Sequence, residues 1–204
     1  MAYLNEKTLV VNFFGSPGAG KSTGAAYVFS LLKMMGINAE LITEYMKGKA
    51  WEDNQEIRKP MNQVYVFSKQ LYALNRCMGK ADVVIVDSPL PLSILYNTSP
   101  VLGEDFNKTV MNCFNSFNNL NYFINRVKPY NTSGRFHSEE QSNQLADNLK
   151  HVINDRCINI RYRDGEDESY KSIADEIAEK LFESNTITWG EDNKIVDHVS
   201  PERN

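Results

Sequence analysis

The chain lacks the features of a membrane protein, a disulfide scaffold or a metal cluster. Nowhere in its 204 residues is there a run of roughly 18 apolar side chains, so no membrane-spanning helix is expected. Cysteine occurs three times, at Cys77, Cys113 and Cys157. The odd number, the wide spacing and the missing C-x-x-C pair argue against disulfides or zinc. The three are read as small apolar residues in a reducing compartment. Met1–Lys7 has no basic-then-apolar layout of a signal peptide, and a cytoplasmic protein is expected. Positive charge is scarce as well: 22 Lys and Arg against 26 Asp and Glu leave a net −4. That balance disfavours a broad nucleic-acid-binding face, leaving only room for a local basic groove. No internal repeat is visible. Seven asparagines between residues 112 and 131 are taken as compositional bias.

What is present is more specific. Residues Gly15-Ser16-Pro17-Gly18-Ala19-Gly20-Lys21-Ser22 fill every fixed position of the pattern G-x-x-x-x-G-K-[ST]. In such a loop the backbone N–H groups encircle a triphosphate, Lys21 reaches the β/γ oxygens and the Ser22 hydroxyl holds Mg²⁺. Thr8–Phe14 before it reads as a buried strand. Thr23 to Met35 after it carries Ala25, Val28, Phe29, Leu32 and Met35 at helical spacing, closed by Gly36. This order aims a helix N-terminus at the phosphates. ATP and Mg²⁺ are the expected ligands.

Further along, Ile37–Glu44 reads as a second strand and Tyr45–Lys59 as a polar, mobile-looking stretch. Pro60 opens a helix to about Met78. Asp82–Asp87 is the clearest buried strand, and a helix spans Glu104–Phe117. A fourth strand covers Asn121–Val127. Ser138-Glu139-Glu140-Gln141 is a capping box starting another helix. Ile158–Tyr162 reads as a fifth strand, and a last helix carries Ile173, Ile177 and Leu181. Strands alternating with helices imply an α/β protein, with a parallel sheet covered on both faces. Ligands of such sheets bind past the carboxyl ends of the strands, which selects the 15–22 loop, Glu44, Asp87 and Arg126.

Asp87 stands where phosphate-loop proteins place the acidic partner of their metal; its alternative is to cap the Ser88-Pro89 turn. Glu44 could take the proton of an attacking hydroxyl, or pair at the surface with Lys47 or Lys49. Arg126, Lys128, Arg135 and His137 flank a loop-like segment, 129–134, and suit a cationic lid over the γ-phosphate. Glu139 and Glu140 sit well for the following helix dipole and could pair with Arg135. Arg161 and Arg163 could border an adenine or pair with Asp164, Glu166 or Asp167. Trp51, Tyr65, Phe67 and Tyr72 could stack on an acceptor ring; core packing is the preferred reading of that stripe.

The loop through Thr23, Glu44-Tyr45, Asp87-Ser88-Pro89 and the Arg126–Arg135 segment resemble the NadR-like kinase/AAA domain family over about residues 8 to 183. The resemblance implies a P-loop NTPase three-layer sandwich around a five-stranded, mostly parallel sheet, nucleoside-kinase-like in kind. It also implies phosphoryl transfer from ATP to a hydroxyl of a nucleoside, nucleotide or similar small molecule. Carried over by position, residues 15–23 bind the nucleotide, and Lys21, Glu44, Asp87, Arg126 and Arg135 act in catalysis. Ser22 and Asp87 take the metal. Phage-encoded P-loop ATPases are similar, and on that likeness the compartment would be the host cytoplasm. An ATPase switch or assembly factor without an acceptor, and a kinase of hydroxymethylated bases in phage DNA, are the alternatives. No H-x-G-H adenylyltransferase motif accompanies the loop. Asp87-Ser88-Pro89 also lacks the arginine of the deoxynucleoside-kinase triplet. The domain is expected to span 1–184 with a lid at about 128–154. The tail, 185–204, is left as an edge strand or a partly disordered end.

Overall fold

The computed structural model describes residues 8–52, 56–131 and 138–183. Its centre is strand β1, Leu9–Phe14, in which all six side chains are buried. Alternation along the strand divides them. Leu9, Val11 and Phe13 enter one apolar layer, with Val28 and Leu32 of helix α1 (Lys21–Met34) and Ile173, Ile177 and Leu181 of α7 (Asp167–Glu183). Val10 and Phe14 enter the opposite layer. There they meet Phe67 and Leu74 of α3 (Gln63–Asn75), Val110 and Phe114 of α5 (Gly103–Asn115), and Leu149 and Ile153 of α6 (Glu139–Asp155). This is a three-layer α/β sandwich.

The sheet has five strands in the order β2-β3-β1-β4-β5, every neighbouring pair parallel. Strand β2 is Ala39–Ile42, β3 Val83–Val86, β4 Asn118–Asn125 and β5 Arg161–Asp164. Chain order reverses direction from β1, placing β3 on one side and β4 on the other, and the crevice above that switch holds the 15–22 loop. No helix among the described residues is long and apolar enough to cross a membrane.

Several elements differ from the sequence reading. The stretch after Glu44 forms helix α2, Tyr45–Trp51, followed by a 3₁₀ turn at Glu56–Arg58. Pro60–Asn62 is a 3₁₀ turn leading into α3, and a short helix, α4 (Leu92–Leu95), follows Asp87. Strand β5 begins three residues later than its apolar run. Cys157 turns the chain at φ 51°, the Ile158 N–H donates to Ile153 O, and Ile158 packs into the core as a linker. Cys157 is therefore an exposed turn residue, whereas Cys77 and Cys113 pack against the core as expected.

Two of the seven asparagines, Asn119 and Asn121, have a structural role. Asn12 lies buried within β1, and its Nδ2 donates to the side-chain oxygens of Asn119 and Asn121, each at 2.9 Å. Asn121 Nδ2 donates to Asn159 O, and Asn119 Nδ2 to Phe114 O. Each amide thus finds the partner that burial demands; stranding one would cost about 1–3 kcal/mol. The ladder explains why β4 starts at Asn118, in spite of asparagine's poor strand propensity.

At the molecule's edge, Arg156 donates two hydrogen bonds to Glu104, at 2.5 and 2.8 Å, tying the end of α6 to the start of α5. Arg156 and Asn107 hold the Glu104 carboxyl down at about 2, against an ordinary 4.5. A depressed folded-state pKa gives stability that is present above 4.5 and lost as pH falls toward 2. The urea midpoint of Glu104→Gln should therefore fall less between pH 5 and pH 2.5 than that of the parent protein. An equal fall in both would remove this pair from the acid response.

Candidate functional site

Glycine geometry shapes the loop. Gly15, Gly18 and Gly20 hold φ of 143°, 85° and 97°, conformations that side chains disfavour. Ala19 N–H donates to Ser16 O, and α1 opens at Lys21, whose Nζ donates to Ser16 O at 3.0 Å. Left-handed glycines followed directly by the N-terminus of α1 are the arrangement that binds phosphate in such loops.

The carboxyl ends of β2 and β3 are stitched together by the Asp87 N–H donating to Ile42 O at 3.0 Å. That bond sets Glu44 and Asp87 beside each other. Both line a cavity of about 380 Å³ with Ser22, Thr43, Lys47 and Trp51. Asp87 is 3% exposed, and its Oδ1 is buried with no hydrogen-bond partner among the described residues. Burial pushes the Glu44 carboxyl above its ordinary 4.5. Lys21 draws it back, Asp87 pushes it further up, and Lys47 lowers it. Thr23, one residue along α1, is exposed and does not line the cavity.

Among the described residues no group of three or more His, Cys, Asp or Glu could cage a metal by itself. The donor set nonetheless fits Mg²⁺, which binds through one or two carboxylates and completes its shell with water and substrate phosphates. The orphaned, buried Asp87 oxygen and the Ser22 hydroxyl, at one cavity, are that kind of set.

On the other side of the loop, Arg126 donates to Glu139 Oε1 at 3.1 Å and to Asn143 Oδ1 at 2.6 Å, with Ser142 Oγ 3.4 Å away. Its face also meets the Tyr130 ring at 5.2 Å. Ser142, fully buried, donates its hydroxyl to Pro17 O at 2.7 Å. Arg126 is therefore docked at the edge of the phosphate loop by the first turns of α6. That helix begins with the Ser138–Gln141 capping box. Of the segment expected as a lid, 139–154 belongs to α6, whose Leu149 and Ile153 are core residues. Arg135 and His137 lie outside the described residues. Arg161 and Arg163 both pair with Glu176 of α7, not with the acids of their own turn.

Three contributors had no readable signal. Ser142 and the Gly165–Tyr170 segment touch the loop from far along the chain, and Tyr96 follows α4 in a turn without a motif. The Tyr96 ring is 39% exposed, while desolvation around its hydroxyl and the charge of Glu44 push that hydroxyl up to about 12. Gly165 passes so close to the loop that a Cβ there would lie 2.3 Å from Ala19 O. Tyr170 donates its hydroxyl to Gly20 O at 3.1 Å. Its ring fills the space in front of Gly24, where a Cβ would lie 2.1 Å from Cε1.

Gly24→Ala separates two effects. Helix propensity alone favours alanine by about 1 kcal/mol. Here the methyl collides with a ring that is 2% exposed and cannot swing away. Overpacking of that kind costs about 1–3 kcal/mol, so a lower melting temperature and weaker ATP binding are expected. A melting temperature above the parent's would mean that Tyr170 does not brace the loop.

Comparison with known proteins agrees with this architecture. A family model described as "AAA domain" matches residues 10–171. No curated protein matches the chain. A crystal structure of NadR protein in complex with NAD and AMP-PNP aligns with a TM-score of 0.64 at 16% identity, covering 90% of this chain and 51% of that chain. A second, of NadR protein in complex with NR, aligns with a TM-score of 0.62 at 17% identity, over 85% of this chain and 50% of that one. The chain thus spans about half the length of those structures, and at such identities the likeness is one of fold. With the loop, the parallel sheet and a family match over most of its length, the chain has a P-loop fold similar to that of NadR and belongs to the AAA domain family.

Proposed function

We propose that this domain transfers the γ-phosphoryl of ATP to a hydroxyl of a nucleoside, nucleotide or similar small molecule. The observation that carries the reading is the cavity at the ends of β2 and β3. It sets a carboxylate without an assigned metal role, Glu44, beside Asp87 and next to Ser22 of the phosphate loop. A half-buried acid whose carboxyl is pushed up by burial is the kind of group that takes the proton of an attacking hydroxyl.

In this reading the backbone of Gly15–Ser22 wraps the β- and γ-phosphates, and Lys21 offsets their charge. Ser22 and Asp87 would hold Mg²⁺, which supplies charge neutralisation at the phosphate oxygens. The acceptor hydroxyl lies in the cavity against Trp51 and gives its proton to Glu44 as its oxygen bonds to the γ-phosphorus. The bond from that phosphorus to the β–γ bridging oxygen breaks, and ADP leaves. Arg126, at the loop's edge, and Arg135 are the cations assigned to the transferring group; such a group spreads charge over its equatorial oxygens. NadR protein has been solved with AMP-PNP and with NR, which places both a triphosphate analogue and a candidate acceptor in the screen.

The test is labelled ATP with a panel of nucleosides, nucleotides, nicotinamide riboside and hydroxymethyl-containing DNA. A labelled product that depends on one acceptor is expected. Steady phosphate release with no labelled product would sink the kinase reading. It would instead favour an ATPase switch or assembly factor, which the family match alone would equally accommodate.

A further inference from the structure

The aromatic stripe that pattern alone assigns to the core is largely outside it. Phe67 is buried, but Trp51 is 75% exposed, Tyr72 70% and Tyr65 45%. Along α3 and its C-cap, one line of exposed side chains alternates in kind: Tyr65, Lys69, Tyr72 and Arg76, spaced four, three and four residues apart. At 100° per residue these four fall within about 60° of arc and form one stripe. Tyr65 and Tyr72 then lie about 10 Å apart along the axis at 1.5 Å per residue, each followed by a cation.

The stripe is organised. Lys69 Nζ sits 5.2 Å from the Tyr65 ring centroid. Tyr45 of α2 meets that ring edge-on at 5.9 Å and donates its hydroxyl to the Tyr65 hydroxyl at 3.2 Å. Lys49 caps the Tyr45 ring at 5.7 Å. Tyr45 directly follows Glu44, and Trp51 lines the cavity, so helix α2 contributes to both the face and the cavity.

Its charge opposes that of the whole molecule. From Ile57 to Ala81 there are five Lys and Arg and no Asp or Glu, against 17 and 26 in the remainder of the chain. The acids near the face, Glu52 and Glu56, are spent on Lys49 at 2.6 Å and Lys59 at 2.5 Å. Lys69 and Arg76 make no ion pair among the described residues.

We infer that the α2–α3 face binds a single-stranded polynucleotide, with bases stacked on Tyr65, Tyr72 and Trp51 and phosphates on Lys69 and Arg76. Exposed rings interleaved with cations held in no ion pair are what such a ligand needs, since every base offers a π-face and every linkage a charge. A duplex keeps its bases stacked on each other and cannot use the rings. A second copy of this chain docked by the same face would set cation against cation.

The test uses the full chain without ATP, so it stands apart from the kinase reading. Fluorescence anisotropy with a labelled 15-nucleotide oligo-dT should report binding that weakens with salt. The slope of log K against log[salt] is about −0.7 for each phosphate neutralised. Tyr72→Ala should weaken binding roughly 5- to 150-fold, the worth of one stacked base, with Tyr72→Trp retaining it and the melting temperature unchanged. Lys69→Gln with Arg76→Gln should flatten the salt slope by about 1.4, two phosphates' worth, while Lys150→Gln on α6 leaves it as it was. A labelled duplex of the same length should bind more weakly. Absent or salt-insensitive binding, equal binding of duplex and single strand, or indifference to Tyr72→Ala would each overturn the inference. So would concentration-dependent dimerisation that Tyr72→Ala abolishes.

Discussion

Lys21→Ala is expected to lower phosphoryl transfer by roughly 10³-fold or more, in the range lost when a cation aimed at the transferring phosphate is removed, while the fold survives. The two halves of that expectation have separate causes. Lys21 opens α1, where alanine is the best helix former. Its side chain is only partly buried and donates a hydrogen bond to Ser16 O at 3.0 Å. Loss of that bond costs about 1 kcal/mol. The loop's shape rests on the left-handed glycines and on the braces from Ser142 and Tyr170, none of which the substitution touches. What disappears is the charge facing the phosphates. Lys21→Arg should not restore transfer, because a broad planar guanidinium cannot take the place of a compact ammonium inside the loop. Labelled-ATP turnover and a thermal melt decide the matter together. Turnover at the parent's level would remove the loop from the reaction, and a collapsed melt would make Lys21 structural.

Much of the fold and part of the site were legible because their signals are local. The 15–22 loop, the apolar runs of β1 and β3 and the 138–141 capping box each fit within eight residues. Parallel-sheet logic then places whatever follows a strand at the ligand-binding edge, which is why Glu44 and Asp87 emerge together. The remainder is carried by contacts between distant residues. Ser142 reaches Pro17 across 125 positions and Tyr170 reaches Gly20 across 150; no spacing rule connects them. Buried asparagines look like bias until Asn12, in another strand, turns out to be their partner. The Ile158-Asn159-Ile160 alternation imitates a strand, yet its apolar members pack into the core from the linker that precedes β5. The α3 aromatics misled for a related reason. Helical spacing reveals that residues share a face, not whether that face meets protein or water, and only the packing of Phe67 and Leu74 against the core fixes the rotation.

Glu44→Gln should separate catalysis from stability. If Glu44 takes the proton, glutamine leaves the hydroxyl without a base, and turnover falls by roughly 10²–10⁴ with ATP affinity nearly intact. The same change should stabilise the protein free of nucleotide. Burial holds the Glu44 carboxyl above its ordinary 4.5, so the folded state binds a proton more readily there than the unfolded chain does. Stability from this group is therefore complete below about pH 4.5 and declines as pH rises through the raised value. Glutamine never ionises and escapes the decline. The melting temperature of Glu44→Gln should thus exceed that of the parent at pH 7–8, and the gap should close as the pH is brought down to 4.5. Proximity to Lys21 lowers the carboxyl's pKa and works against the effect, but burial is the larger influence, so the sign holds. On the kinase reading, the raised value should also move the acid limb of the parent's turnover profile above the range of an exposed glutamate. Unchanged turnover in Glu44→Gln would remove Glu44 from the reaction. A melting temperature below the parent's at pH 8 would mean that its charge is held by partners and not strained by burial.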